Sequence, residues 1–148
     1  ARWTPRWEPW IAAGKFLHLR APWNWFVTLT FGAPVVSTNK AIARTRAWLD
    51  ALAKRVGDPV LGAYAIEGHA SGALHVHVLV AFPSGAARVP TADGDALWSD
   101  GLARVRVYDP RLGGAWYVAK HADAWDLTFG RPTKHMPRPS ARAGLPVG

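Results

Sequence analysis

Hydrophobic and polar positions recur along this chain with two different periods, and the changes of period mark its elements. Residues 25–31 read Trp-Phe-Val-Thr-Leu-Thr-Phe, a two-residue period that predicts a strand with Val27, Leu29 and Phe31 on one face. Gly32-Ala33-Pro34 ends it. Ser37 or Thr38 can then cap a helix whose stripe of Ile42, Leu49, Leu52 and Val56 runs to about residue 56, where Gly57-Asp58-Pro59 closes it. Residues 61–67 and 74–82 predict a hairpin turning at Ser71-Gly72. Residues 83–90 read as a loop, 91–98 as a short helix, and 102–108 as an alternating strand with Arg104 and Arg106 on one face. Asp109-Pro110 pairs an N-cap residue with a proline at the first helical position, and no further proline precedes Trp125, so a helix is expected through that segment.

This order of strand, helix, two strands, short helix, strand and helix predicts an α+β fold. One antiparallel sheet covered by helices on one face fits a ferredoxin-like plan. Three parts are expected: an N-terminal arm over 1–22, a single domain over 23–128 and a tail over 129–148. The arm is rich in Pro, Trp and Arg, with an apolar piece around Phe16-Leu17-His18-Leu19 that reads as a strand or part of the arm. The tail is basic, rich in Pro and Gly, and reads as largely irregular.

Charge changes the picture from a generic small domain to one suited to polyanions. The chain has 148 residues, a formal net charge of +8 and a pI of about 10.6. Thirteen of its eighteen basic residues are arginine, the side chain best suited to bidentate phosphate contacts. Nine tryptophans are present, and Trp3, Trp7, Trp10, Trp23 and Trp25 crowd the first 25 positions among Arg2, Arg6, Lys15 and Arg20. Rings interleaved with cations are a means of stacking unpaired bases, so these five are candidate DNA contacts, with core packing as the alternative. Trp48, Trp98, Trp116 and Trp125 read as packing residues. The absence of cysteine excludes thiolate zinc sites and disulfides and is compatible with a cytoplasmic location. No transmembrane run, secretion signal or Gly-Lys-Ser/Thr phosphate loop is present, so any helicase is expected in another protein or a missing part of this one.

The chemistry concentrates in two places. In Glu67-Gly-His-Ala-Ser-Gly-Ala-Leu-His75-Val-His77, the imidazoles of His75 and His77 share one strand face, and the hairpin returns Glu67 to lie across from Leu74 or His75. Two imidazoles and a carboxylate are a candidate divalent-metal triad, with His69 an alternative third ligand. Forty residues on, Tyr117, Lys120 and His121 stand at i, i+3 and i+4 of the expected helix and share a face.

Taken with Phe26 to Thr30, the segments His75-Val76-His77 and Tyr117 to Lys120 resemble the three ordered motifs of HUH endonucleases, specifically single-tyrosine rolling-circle replication initiators. The resemblance spans about residues 25–122 and identifies the central part as an HUH endonuclease domain. It implies a Tyr117 hydroxyl that attacks a DNA phosphodiester, leaving a 5′-phosphotyrosine and a free 3′-OH. It implies a metal ion on His75, His77 and Glu67, and a Lys120 that stabilises the phenolate or touches phosphate. An open site that also admits phosphate points to Mn²⁺ or Mg²⁺. His121 is an outside candidate for proton acceptor or DNA contact, and Arg104 and Arg106 are DNA-binding candidates. Single-stranded DNA is the implied partner, with an origin hairpin and a host or replicon helicase as further candidates. Relaxases usually supply a third histidine where this chain has Glu67. Small single-tyrosine transposases usually carry Gln four residues after the nucleophile, where this chain has His121; a transposase remains the nearest alternative, and a non-catalytic single-strand binder the alternative from another class.

Overall fold

The structure, a computed structural model, describes residues 9–33, 37–68, 73–83, 89–121, 125–130 and 140–141. The elements run α1 (Pro9–Arg20), β1 (Trp25–Leu29), α2 (Thr38–Val56), β2 (Val60–Gly68), β3 (Leu74–Ala81), α3 (Thr91–Ala96), β4 (Ala103–Val107), a 3-10 turn (Pro110–Leu112), α4 (Gly114–His121), β5 (Trp125–Gly130) and β6 (Ser140–Ala141). The strands form one antiparallel sheet in the order β4-β1-β3-β2-β5-β6. The α+β expectation therefore holds, and the run from β1 to β4 has the β-α-β-β-α-β order shared with ferredoxin-like folds.

Helices lie on both faces of the sheet, not on one as expected. The reason is visible in β3, which is buried along almost its whole length. Val76, Val78 and Val80 join Trp25, Val27, Leu29, Tyr64 and Ile66 in a core closed by Trp48, Leu49 and Leu52 of α2. The alternate positions Leu79 and Ala81 join Leu61, Ala63 and Ala65 of β2 in a second core, covered by Leu17 of α1 and Ala115 and Val118 of α4. Small residues dominate the β2 side of this second core, which lets α1 and α4 come close to the sheet. Central strands sandwiched in this way read as nearly continuous apolar runs, and a one-sided alternation is not what they need.

Local signals explain the boundaries. Ser37 accepts a hydrogen bond from the Lys40 N–H at the start of α2, and Gly57 ends the helix in the left-handed region at φ 83°, donating to the Ala53 carbonyl. Asp109 caps only a 3-10 turn, accepting from the Arg111 N–H, because Gly113 turns left-handed at φ 68° and restarts the chain as α4 at Gly114. The helix then stops at His121, and Trp125 opens β5 where a helix was expected. Residues 9–20 are likewise a helix where an arm or strand was expected, and Leu17 within it is wholly buried.

Trp23 and Trp25 correct a second expectation. Trp25 is buried against the edge of the Phe82 ring, and Trp23 is buried with its indole N–H donating to the Leu17 carbonyl. Neither presents a face to a base. Trp48 and Trp98 are core residues as expected, donating to the carbonyls of Gly94 and Thr30. Trp3 and Trp7 lie outside the described residues, and of Trp10 only the backbone, in α1, is described.

Gly62, the third residue of β2, leaves the space that Leu49 of α2 fills: a Cβ there would sit 2.6 Å from Leu49 Cδ1. Gly62→Ala is expected to destabilise by about 1–3 kcal/mol through overpacking, and Leu49→Ala by about 2–5 kcal/mol through a cavity. Because the two changes meet in one space, urea unfolding of the double variant should give a loss clearly smaller than the sum of the singles; strict additivity would refute this packing.

Candidate metal and tyrosine site

The site grows from strand register. Glu67 pairs directly with His75 across β2 and β3, and His77 stands between Thr28 of β1 and Ala65 of β2. The two-residue period sends His75 and His77 to the α1/α4 side of the sheet while Val76 and Val78 enter the α2 core. Both histidines are buried, at 6% and 7% exposure. Their Nε2 atoms lie 3.0 Å apart, with Glu67 Oε1 3.2 Å from His75 Nε2 and Glu67 Oε2 3.7 Å from His77 Nε2.

These three residues can hold a metal ion, and all three donor atoms lie within 4.8 Å of one another. Ligands about 2.1 Å from a common ion and at right angles stand about 3 Å apart, so the observed donor spacings suit coordination. Burying two imidazoles beside a carboxylate also leaves polar atoms converging on one point, where a cation would satisfy them together. The Oγ1 of Thr28 lies 3.2 Å from His77 Nδ1. With the Nδ1 proton directed at Thr28, His77 keeps its Nε2 lone pair for the ion, the tautomer that a ligating imidazole requires. His69, the other expected candidate, lies outside the described residues.

Tyr117 arrives from α4. Its hydroxyl donates to Glu67 Oε2 at 3.1 Å, and its ring meets the His77 ring edge-on at 4.9 Å. The phenol is 37% exposed, and its pKa is held above the ordinary value near 10, first by burial, then by the hydrogen bond to Glu67 and by that carboxylate's charge. The structure thus brings together four of the expected site residues: Glu67, His75, His77 and Tyr117. Lys120 and His121 are placed on α4 by their backbone, and their side chains lie outside the described part.

Arg104 and Arg106 are exposed on β4 and share this face of the sheet. Arg104 pairs with Thr28 and Arg106 with Phe26, so each extends a row that crosses β1 toward the site. A depression of about 530 Å³ lined by Thr28, Thr30, His75, Leu102 and Arg104 opens beside the histidines.

Three contributors had no role assigned from the sequence, although Phe26 and Thr28 fall within its first motif. Thr28 orients His77; the Phe26 ring lies 5.8 Å from His77 and 6.2 Å from Tyr117; and Gly114 lets α4 settle on Phe26, since a Cβ there would fall 2.6 Å from Phe26 Cδ2. The signal for the first two was present. The period that buries Val27 and Leu29 sends Phe26 and Thr28 to the opposite face.

Two outcomes follow from this geometry. Thr28→Val should weaken Mn²⁺ binding by about 10- to 100-fold in titration calorimetry, since it removes the group that holds the His77 tautomer; unchanged affinity would remove Thr28 from the site. In EDTA, ¹³Cζ-tyrosine NMR should find Tyr117 titrating above the ordinary phenol range, and Glu67→Gln should lower it, because the hydrogen bond and the charge both favour the neutral phenol. An unmoved titration in that variant would contradict the observed contact.

Among known proteins, no curated protein and no solved structure matches the chain. A family model described as replication-associated protein ORF2 matches residues 24–124, from the residue before β1 to beyond α4, and so encloses Glu67, His75, His77 and Tyr117. That match spans more than half of the chain, and the protein therefore belongs to the ORF2 family of replication-associated proteins.

Proposed function

We propose that this protein is a metal-dependent nickase and strand transferase that cuts single-stranded DNA through Tyr117 to initiate rolling-circle replication. The observation that carries the reading is the hydrogen bond from the Tyr117 hydroxyl to Glu67 Oε2, which sets a nucleophile against the same carboxylate that joins His75 and His77. Membership of a replication-associated family supports DNA as the substrate, as does the net charge of +8. No helix among the described residues is long and apolar enough to cross a membrane.

In the proposed step the Tyr117 oxygen forms a bond to phosphorus and the bond from phosphorus to the 3′ oxygen breaks. The 5′ end stays on the tyrosine and the leaving oxygen takes a proton to become a 3′-OH. Energy stored in the phosphotyrosine ester allows rejoining by the reverse attack. Bound Mn²⁺ or Mg²⁺ supplies a Lewis acid that polarises the scissile phosphate and offsets its developing charge. His75, His77 and Glu67 would hold that ion. Glu67 also faces the phenol proton directly, so its Oε2 is the acceptor within reach when Tyr117 attacks. Lys120, one turn along α4, is proposed to stabilise the phenolate or contact phosphate. Arg104 and Arg106 are proposed to hold backbone phosphates of the strand.

Incubation with Mn²⁺ and a random pool of single-stranded oligonucleotides should yield a denaturation-resistant protein–DNA adduct. Tyr117→Phe should abolish it, and His77→Ala should lower its rate by about 10²- to 10³-fold, the scale of losing an electrophilic group from such a site. An adduct that persists in Tyr117→Phe would refute the nucleophile. Binding without any adduct across the pool would favour a non-catalytic single-strand binder.

A further inference from the structure

We infer that the cavity between β4, β1 and the start of α4 is a subsite for one unstacked nucleobase next to the phosphate that Tyr117 attacks. The inference rests on the proposed action on single-stranded DNA and specifies where the substrate strand is gripped. The cavity measures about 250 Å³ and includes Tyr117 and His77 in its wall, so its contents lie against the nucleophile and the candidate metal group. That volume, at the small end of ligand pockets, suits one ring system and not a stacked run.

Its lining favours a planar apolar guest. The Phe26 ring forms part of the wall and is held from three sides, by His77 at 5.8 Å, by Tyr117 at 6.2 Å and by the close approach of Gly114. A ring fixed in this way is a stacking platform already formed before a guest arrives. Val107 and Leu112 also line it and are 73% and 78% exposed, two apolar side chains left to water beside the polar residues of the candidate site. Tyr108 lines the same space, its hydroxyl 3.0 Å from His18 Nδ1 of α1.

The charges at the rim favour a nucleotide over an uncharged aromatic compound. Arg106 pairs with Phe26 across the strands and belongs to the same lining, which sets a cation where the phosphate of a stacked nucleotide would emerge. The nearby carboxylate, Asp109, is held by Arg111 through hydrogen bonds of 3.1 and 3.0 Å from Nε and Nη2, so its charge is balanced locally. An enzyme that attacks one phosphate must keep the flanking nucleotides from sliding, and insertion of one base into a fixed pocket does so without a duplex.

The subsite can be tested apart from cleavage. The full chain in EDTA would be photo-cross-linked to a single-stranded oligothymidylate carrying one 5-iodo-deoxyuridine, and the linked peptides mapped by mass spectrometry. Cross-links at Phe26 or Tyr108 are expected. Leu112→Glu, a change at an exposed position, should lower their yield by about tenfold with unchanged thermal melting, the scale of losing one stacked base. Cross-links confined to other residues, no cross-links, or a yield indifferent to Leu112→Glu would each overturn the subsite. Cross-links in the pocket from a protein that forms no Mn²⁺-dependent adduct would keep the subsite and remove the nickase. An adduct without pocket cross-links would do the reverse.

Discussion

The pairing of Glu67 with His75 across β2 and β3 is the constraint on which the site depends. Because side chains alternate faces, a slip of one residue in this pairing would send a carboxylate into the α2 core or leave the histidines with no acidic neighbour. Valines enforce the register. Val76, Val78 and Val80 fill the core under α2, so the strand can place its histidines on the opposite face only in this arrangement. Hydrophobic burial on one side of β3 thus fixes polar chemistry on the other, and the contacts that hold the fold also define the candidate metal group.

The second consequence is electrostatic. Two buried imidazoles and a carboxylate in mutual contact form a group suited to a cation, and the phenol beside them feels that carboxylate too. Burial, the hydrogen bond to Glu67 and that carboxylate's charge all push Tyr117 toward its neutral form. A divalent cation on Glu67 would oppose the carboxylate's part in this. On the proposed function, metal binding and activation of Tyr117 would then be linked through one side chain.

Much of this was legible in the sequence, for reasons that can be named. The caps and stripe of α2 are short-range signals; they located Gly57 and narrowed the N-cap to Ser37 or Thr38, of which Ser37 is the cap. The hairpin and the His-X-His spacing rest on strand alternation; they put His75 and His77 on one face and left Glu67 across from Leu74 or His75, a choice that the pairing with His75 decides. Helix α1 was less visible because prolines and tryptophans around it imitate a loop; its place depends on Leu17 finding α4, a contact between segments about a hundred residues apart. The same holds for Trp23 and Trp25, whose basic neighbours suggested a DNA-facing surface while their burial comes from partners far along the chain. The Asp109-Pro110 signal was real, but Gly113 confined it to a 3-10 turn, and helix and strand compete closely around Trp125 in the absence of a proline.

What strand alternation could not supply is the distance between the Tyr117 phenol and the candidate metal residues, since Tyr117 reaches the sheet on a separate helix. That distance is set by how closely α4 packs, and packing depends on small side chains. Ala63, Ala65 and Ala115 bring the helix down on β2, and Gly114 brings its first turn onto Phe26. Phe26 in turn packs beside both Tyr117 and His77, so its ring buttresses the phenol and the candidate metal group from one side. A bulkier residue at Gly114 would have to push either the ring or the helix, and each is attached to half of the site. The smallest residue in the region therefore governs the one dimension of the site that neither motif specifies.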